Sequence, residues 1–212
     1  MEVEYKFELD GFSTAYRMSL PAPWQPFASD RAGDKRHMHS YYFDTADRAL
    51  DGLKAVLRMR REGEERVMTL KFQNGGVSES GLFAREEIEI RLETDHAVPP
   101  VEYFWKSCGD FEQRVPENIR AALRQPLLLR YEVRFARQRR YLQCGDSLMA
   151  LDLDQGFVSN RDRERPFLEA ELELISGSPE DLACVAEYAR RRFALQPQPL
   201  SKYQQCRQLD RG

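Results

Sequence analysis

At 212 residues, 42% of them hydrophobic, the chain is long enough to bury a sizeable core. A net charge of −3, from 32 basic and 35 acidic residues, excludes a uniformly basic nucleic-acid-binding surface but leaves room for cations gathered inside a cleft. Cys108, Cys144, Cys184 and Cys206 lack CxxC spacing and His37, His39 and His96 form no HExxH set, which argues against a disulfide framework or a zinc site. No apolar run approaches the ~18 residues of a membrane span and no signal-peptide core is evident. The expectation is a soluble, cytoplasmic protein with no membrane or nucleic-acid partner.

The first strand is Glu2-Val3-Glu4-Tyr5-Lys6-Phe7, in which Glu2, Glu4 and Lys6 alternate with apolar residues and therefore share one face. A short helix over 12–20 follows, and Pro21, Pro23 and Pro26 then predict a loop over 21–36. His39 to Asp44 reads as a strand, with Thr45 as the N-cap of a short helix to about Leu50. His37 and His39 are expected to be plain surface or strand-edge residues. Residues 55–61 and 66–72 form a predicted hairpin that puts Arg58 and Arg60 on one face of its first strand, and Thr69 and Lys71 on one face of its second.

Residues 73–81 (QNGGVSESG) are a predicted loop. Phe83 to Leu92 alternates clearly, with Arg85, Glu87, Glu89 and Arg91 opposite Ile88, Ile90 and Leu92. Helical stretches fall at 101–107 and 116–124, and strands at 127–140, 147–154 and 166–175. In the last of these, Glu169, Glu171 and Glu173 face away from Ala170, Leu172 and Leu174. Ser178-Pro179-Glu180-Asp181 is a strong helix start, with a serine cap, proline in the first turn and acids beside the positive end of the helix dipole. That helix runs to about Ala194, and a last short helix near Pro199 includes Lys202. The sum is an α+β chain of about eight mostly antiparallel strands, read as a single domain over 1–212.

The polar faces of these strands leave two arrangements open. Either an open sheet turns its charges to water, or the sheet closes, its apolar face lies outside under helices, and the charges line an interior. The second is costly unless the charges are paired or meet a ligand. Mixed charge in such quantity would suit a polyanion with divalent cations, because carboxylates are hard ligands for magnesium or manganese and Arg and Lys clamp phosphate oxygens.

Glu2-x-Glu4-x-Lys6 resembles the ExExK signature of the CYTH superfamily, the triphosphate tunnel metalloenzymes. Further segments are similar in order: Tyr41-Tyr42-Phe43-Asp44-Thr45, Leu57-Arg58-Met59-Arg60, Thr69-Leu70-Lys71, Arg85-x-Glu87, Phe135-Ala136-Arg137-Gln138-Arg139, Leu153-Asp154-Gln155-Gly156, Glu169-Ala170-Glu171-Leu172-Glu173-Leu174 and Leu200-Ser201-Lys202. The LDQG and ExELELxSG forms are most similar to the bacterial inorganic triphosphatase branch. After Lys202 the family's Gly-Tyr pair is replaced by Tyr203-Gln204, which leaves the closure of that tunnel end open.

The resemblance implies an eight-stranded antiparallel β-barrel, a triphosphate tunnel with a charged lumen and surrounding helices. It implies Lys6, Arg58, Arg60, Lys71, Arg85, Arg137 and Lys202 as substrate-binding residues, with Arg139 as a further candidate. Glu2, Glu4, Asp154, Glu169 and Glu171 would hold Mg2+ or Mn2+, and Glu87 with Glu89 would complete a second ion site through water. Lys6, Arg58, Arg60, Lys71, Arg85 and Glu87 form the candidate catalytic set, while Asp152 and Glu173 share faces with the ligands. The implied activity is metal-dependent hydrolysis of inorganic triphosphate by a monomer or homodimer. Hydrolysis of an organic triphosphate, class IV adenylate cyclase activity and a non-catalytic polyphosphate-binding module are the alternatives.

Overall fold

The structure is a computed structural model that describes the backbone of residues 2–72 and 82–211, and the side chains there except those of residue 2 and residues 82–85. The predicted loop over 73–81 lies outside the described residues. The strands are β1 (Glu2–Glu8), β2 (Lys35–Thr45), β3 (Ala55–Glu62), β4 (Glu65–Phe72), β5 (Leu82–Arg91), β6 (Leu127–Cys144), β7 (Ser147–Ser159), β8 (Glu164–Ser176) and the two-residue β9 (Gln196–Pro197). The helices are α1 (Phe12–Ser19), α2 (Ala49–Gly52), α3 (Glu102–Ser107), α4 (Phe111–Arg114), α5 (Glu117–Leu123), α6 (Pro179–Phe193) and α7 (Lys202–Gln208).

The sheet runs β5-β4-β3-β2-β6-β7-β8-β1-β9, and a further ladder pairs β1 with β5. That ladder sets Glu2 opposite Arg85 and Tyr5 opposite Leu82, while β8 holds the other edge of β1, with Lys6 opposite Glu171. All the long strands pair antiparallel, so the eight of them meet end to end and their edges are used up. Strand β9 covers the part of β1 that β5 leaves, at Phe7 and Glu8.

Apolar side chains from the outward faces pack under helices in two separate clusters. Leu57, Met68, Leu70 and Ile88 meet Phe104, Phe111, Ile119 and Leu123 of α3–α5. Phe7, Met149, Leu151 and Leu172 meet Met18 of α1, Trp24, and Leu182, Val185 and Phe193 of α6. Of the two arrangements open to the sequence, the fold therefore takes the one with its charges inside. A third apolar cluster fills one end of the interior, where Met38, Tyr42, Tyr131, Val133, Phe135, Val158 and Phe167 meet Tyr203 and Cys206 of α7.

Helix α7 is thus a plug, and this is how the tunnel end beside Lys202 closes. Ser201 and Gln204 form a capping box at its start. Arg48 to Asp210 (2.8 Å) and Arg207 to Asp51 (2.9 Å) tie the segment to the rim.

The structure corrects several local expectations. The proline-rich stretch holds a 3-10 helix over Ala22–Phe27, seated by Trp24 Nε1 donating to Met18 O at 2.7 Å, and β2 already begins at Lys35. Thr45 does not cap α2, whose N-cap is Arg48 in the left-handed region. Instead, Thr45 Oγ1 accepts from Ala49 N at 2.8 Å while Asp44 accepts from Leu50 N and Asp51 N. Helix α4 was not anticipated, and β6 to β8 extend beyond their expected ends because they form one long continuous antiparallel ladder.

Gly156 sits where β7 lies hard against β6: a Cβ there would come within 2.0 Å of Arg134 O and 2.5 Å of Phe135 Cα. Gly156→Ala is expected to destabilise the fold by about 2 kcal/mol or more, because the collision is with backbone that cannot step aside. Urea unfolding of the purified variant checks this.

Candidate active site

Inward-facing residues surround a cavity of about 470 Å³. Two walls of different charge face each other across it. One is built by β1, β6, β7 and β8 and carries Glu4, Lys6, Arg137, Arg139, Glu171 and Glu173; the other, from β2 to β5, carries Arg36, Arg58, Arg60, Lys71, Glu87 and Glu89. Strand alternation delivers them to the lumen: the residues flanking Lys6, Arg58, Lys71 and Glu171, such as Phe7, Leu57, Leu70 and Leu172, lie in the outer clusters.

On the first wall, Asp154, Glu169 and Glu171 are buried, with carboxylate oxygens within 4.8 Å of one another. Lys202, the first residue of α7, sends its ammonium among them, 2.7 Å from Asp154, 2.6 Å from Glu169 and 2.9 Å from Glu171. Arg137 binds Asp154 in bidentate fashion at 2.7 and 2.6 Å and reaches Glu171 at 2.5 Å and Asp152 at 2.7 Å. Lys6 pairs with Glu171 and stands 3.1 Å from Glu4. Gln205 Nε2 donates to Glu169 at 2.8 Å.

Burial opposes every charge here, so the titration of each group reports which partners outweigh it. Burial works against the Glu171 carboxylate, yet Lys202, Lys6 and Arg137 hold it well below the usual carboxylate range. Asp154 is likewise lowered against its burial by Arg137 and Lys202. Glu169 goes the other way, because burial outweighs Lys202 and the Glu171 charge adds to it. Lys202 is held well above the ordinary lysine value by Asp154, Glu169 and Glu171 despite its burial.

The opposite wall pairs its charges differently. Arg58 Nη2 donates to Thr69 Oγ1 at 3.2 Å and lies 4.0 Å from Glu87, which Lys71 approaches at 3.2 Å. Arg60 pairs with Glu62, but its buried Nε has no hydrogen-bond partner among the described residues. Its pKa is pushed down by burial and by neighbouring Arg58. Burial raises Glu89, with the attraction of Arg60 only partly offsetting it.

Of the expected metal-ligand residues, the structure brings together Asp154, Glu169 and Glu171. Glu4 is on the cavity wall beside Lys6, outside that cluster. For Glu2 and Arg85 the structure describes only the backbone, where they face each other in the β1–β5 ladder. Lys6, Arg58, Arg60, Lys71, Glu87, Arg137, Arg139 and Lys202 all line the cavity. Arg139 keeps the inward facing of Arg137, since the β6–β7 register runs unbroken through Ala136, and it grips Asp152 at 2.7 and 2.6 Å.

The sequence reading missed Arg36, Ser40 and Tyr42 of β2, and Tyr203 of α7, which also line the cavity. The alternation of Arg36, Met38, Ser40 and Tyr42 was the available signal, masked by the mixed polarity of the strand. His39 lies on the outer side, half-buried and bonded to Glu132 at 2.9 Å and Tyr41 at 3.0 Å, on a strand paired along both of its edges there.

A closed antiparallel barrel with apolar clusters outside and a charged, plugged lumen inside defines a tunnel-type fold. The chain belongs to the CYTH family, whose profile matches residues 1–204. It is 31% identical over 141 residues to an inorganic triphosphatase of Haemophilus influenzae, an alignment covering 66% of this chain and 37% of that protein's length. The fold is shared with a candidate adenylyl cyclase from Hippeastrum described as having a dominant triphosphatase activity (TM-score 0.65, 18% identity, 98% and 96% of the two chains). It is shared also with a candidate adenylate cyclase from Bacillus halodurans (TM-score 0.55, 19% identity, 95% and 94%).

The two walls are expected to respond differently to substitution. In EDTA, Glu171→Gln should cost about 3 kcal/mol of stability, because it removes the carboxylate that buried Lys6, Lys202 and Arg137 share. Arg58→Ala should cost less, about 1 kcal/mol, because Lys71 stays 3.2 Å from the Glu87 carboxylate that Arg58 also approaches. Paired denaturant titrations measure both.

Proposed function

We propose that this chain, read as one tunnel domain over 1–212, is a divalent-metal-dependent triphosphatase acting on inorganic triphosphate. The observation that carries this reading is a cavity whose lining is rich in Arg and Lys and onto which a buried carboxylate cluster opens through Glu171. Membership of the CYTH family and the likeness to the Haemophilus influenzae inorganic triphosphatase support it.

The donor set fits a hard cation, since Asp154, Glu169 and Glu171 offer only carboxylate oxygens at close range. These residues would hold Mg2+ or Mn2+, with Glu4 and Glu2 as nearby carboxylates on β1. The ion would supply charge neutralisation of the phosphate oxygens and acidification of a water. Lys202 now fills the middle of that cluster, so it must give way there. A polyanion in the cavity offers its ammonium, and those of Lys6 and Lys71, new partners.

Arg58, Arg60 and Arg137 present guanidinium forks suited to bidentate contact with phosphate oxygens. Arg85, Arg139 and Lys202 belong to the same substrate-binding set. Glu87, held between Lys71 and Arg58, is placed to accept a proton from a water at the phosphate chain or to orient it. Catalysis is then chiefly positioning and electrostatic stabilisation of charge on the transferred phosphoryl group.

Phosphate release should be observed from tripolyphosphate with Mg2+ or Mn2+, should stop on addition of EDTA, and should exceed release from ATP or thiamine triphosphate. Cyclic AMP formation from ATP would instead support the cyclase reading, and binding without turnover a non-catalytic module. Glu169→Gln is expected to lower kcat/KM at least about a hundredfold, as loss of one ligand of a catalytic ion does. Unchanged turnover in that variant contradicts the role given to the cluster.

A further inference from the structure

A charged lumen obliges the outer face of the barrel to be apolar, and helices cover that face on two flanks. One section lacks such cover. Across β2, β3 and β6 the outward side chains Tyr41, Phe43, Met59 and Leu129 border a cavity of about 380 Å³. The ladders set Tyr41 opposite Met59 and Phe43 opposite Leu129, so the four share one face. No helical residue contributes to the lining; the chain from Leu92 to Ala97 forms the remaining wall. That segment is fixed by Leu92 N donating to Arg66 O at 2.8 Å and by the Arg66 fork on Asp95, with Nη2 to Oδ2 at 3.0 Å. Leu129 is left 48% exposed at the edge.

Apolar walls with a few polar groups at the rim are the make-up of a small-molecule site. Most of the rim charges are matched to one another. Asp95 is held by Arg66, and Glu132 is bonded to His39, whose other ring nitrogen meets the Tyr41 hydroxyl. Arg61 is the exception. It stands opposite His39 in one ladder and opposite Arg66 in the next, on the same outer face. Its Nε donates to Gly63 O at 3.0 Å, and its carboxylate neighbour Glu64 lies 3.9 Å away and almost fully exposed, a weak pair that a closer anion can replace. The cavity also lies back to back with the tunnel, since the ladder partners Arg60 and Val67 border both.

We propose that this cavity binds a small hydrophobic carboxylic acid, with its apolar body against Tyr41, Phe43, Met59 and Leu129 and its carboxylate on Arg61. A neutral apolar molecule would leave Arg61 with its weak partner, and a phosphate-rich one would leave the apolar walls unfilled. The site is separate from the tunnel and stands whether or not the tunnel hydrolyses triphosphate.

The test is calorimetric titration with 2-naphthoate and with its neutral counterpart 2-naphthamide, each in EDTA, without and with tripolyphosphate. The unmodified protein is expected to bind 2-naphthoate about tenfold more tightly than 2-naphthamide, as one charged hydrogen bond provides, and equally well in either condition. Arg61→Ala should lose that preference while keeping its affinity for 2-naphthamide. Leu129→Glu, at an exposed position, should weaken both about tenfold by placing a charge on the apolar wall. Circular dichroism confirms that both variants fold. Absence of 2-naphthoate binding, a preference that survives Arg61→Ala, or affinities unchanged in Leu129→Glu overturns the site. Displacement of 2-naphthoate by tripolyphosphate also overturns it, by putting the probe in the tunnel. A dimer in sedimentation equilibrium that Leu129→Glu dissociates gives this face to a second copy of the chain and overturns it as well.

Discussion

The constraint on which the structure turns is the insertion of Lys202 among Asp154, Glu169 and Glu171. Three carboxylates this close and this buried cannot all stay ionised without a cation between them. Helix α7 supplies it from the last part of the chain, and in doing so closes the end of the barrel on Tyr203 and Cys206. The charged lumen and the plugged end are thus one arrangement: removing the ammonium would leave the acids short of charge, and removing the helix would open the apolar end to water. Arg137 and Lys6 complete the balance from β6 and β1.

The inverted polarity of the barrel follows from that interior. Once charge occupies the inside of the sheet, the apolar residues alternating with it must be covered from outside, and helices α3 to α5 on one flank and α1 with α6 on the other do this. The two walls are not equivalent. The β7–β8 side is a dense network whose partners fix one another, whereas the other wall leaves the buried Arg60 Nε without a hydrogen-bond partner among the described residues. A surface that is not fully satisfied by its own chain is the one a polyanion can satisfy further.

Much of this was legible in the sequence because β1 and β8, and the central parts of β3, β4 and β5, alternate charged with apolar residues, which sorts most of their charges and core residues by position. The motif order then chose between the open and closed sheets that alternation left undecided. What escaped notice has specific causes. Arg36 sits at the start of a strand that follows a proline-rich stretch, and prolines there end a helix without preventing the next strand from starting two turns later. Tyr42 and Tyr203 are apolar-looking residues on inward faces, invisible to a search for charges, because one end of the lumen is an ordinary apolar core. Glu4 has the spacing of a ligand, but the register sets it opposite Glu173 and beside Lys6, one step from the three-carboxylate cluster.

On the proposed function, a cation would take over the acids that now pair with Lys202, Lys6 and Arg137, and a polyanion those basic groups, so each would favour the other's binding. The most direct measurement is the Mn2+ affinity, read by equilibrium titration, without and with a saturating triphosphate analogue whose two bridging oxygens are replaced by NH and which therefore resists hydrolysis. The analogue is expected to tighten Mn2+ binding by about tenfold or more, a coupling of about 1.4 kcal/mol. Equal Mn2+ affinity in both conditions, in protein that binds the analogue, would contradict it.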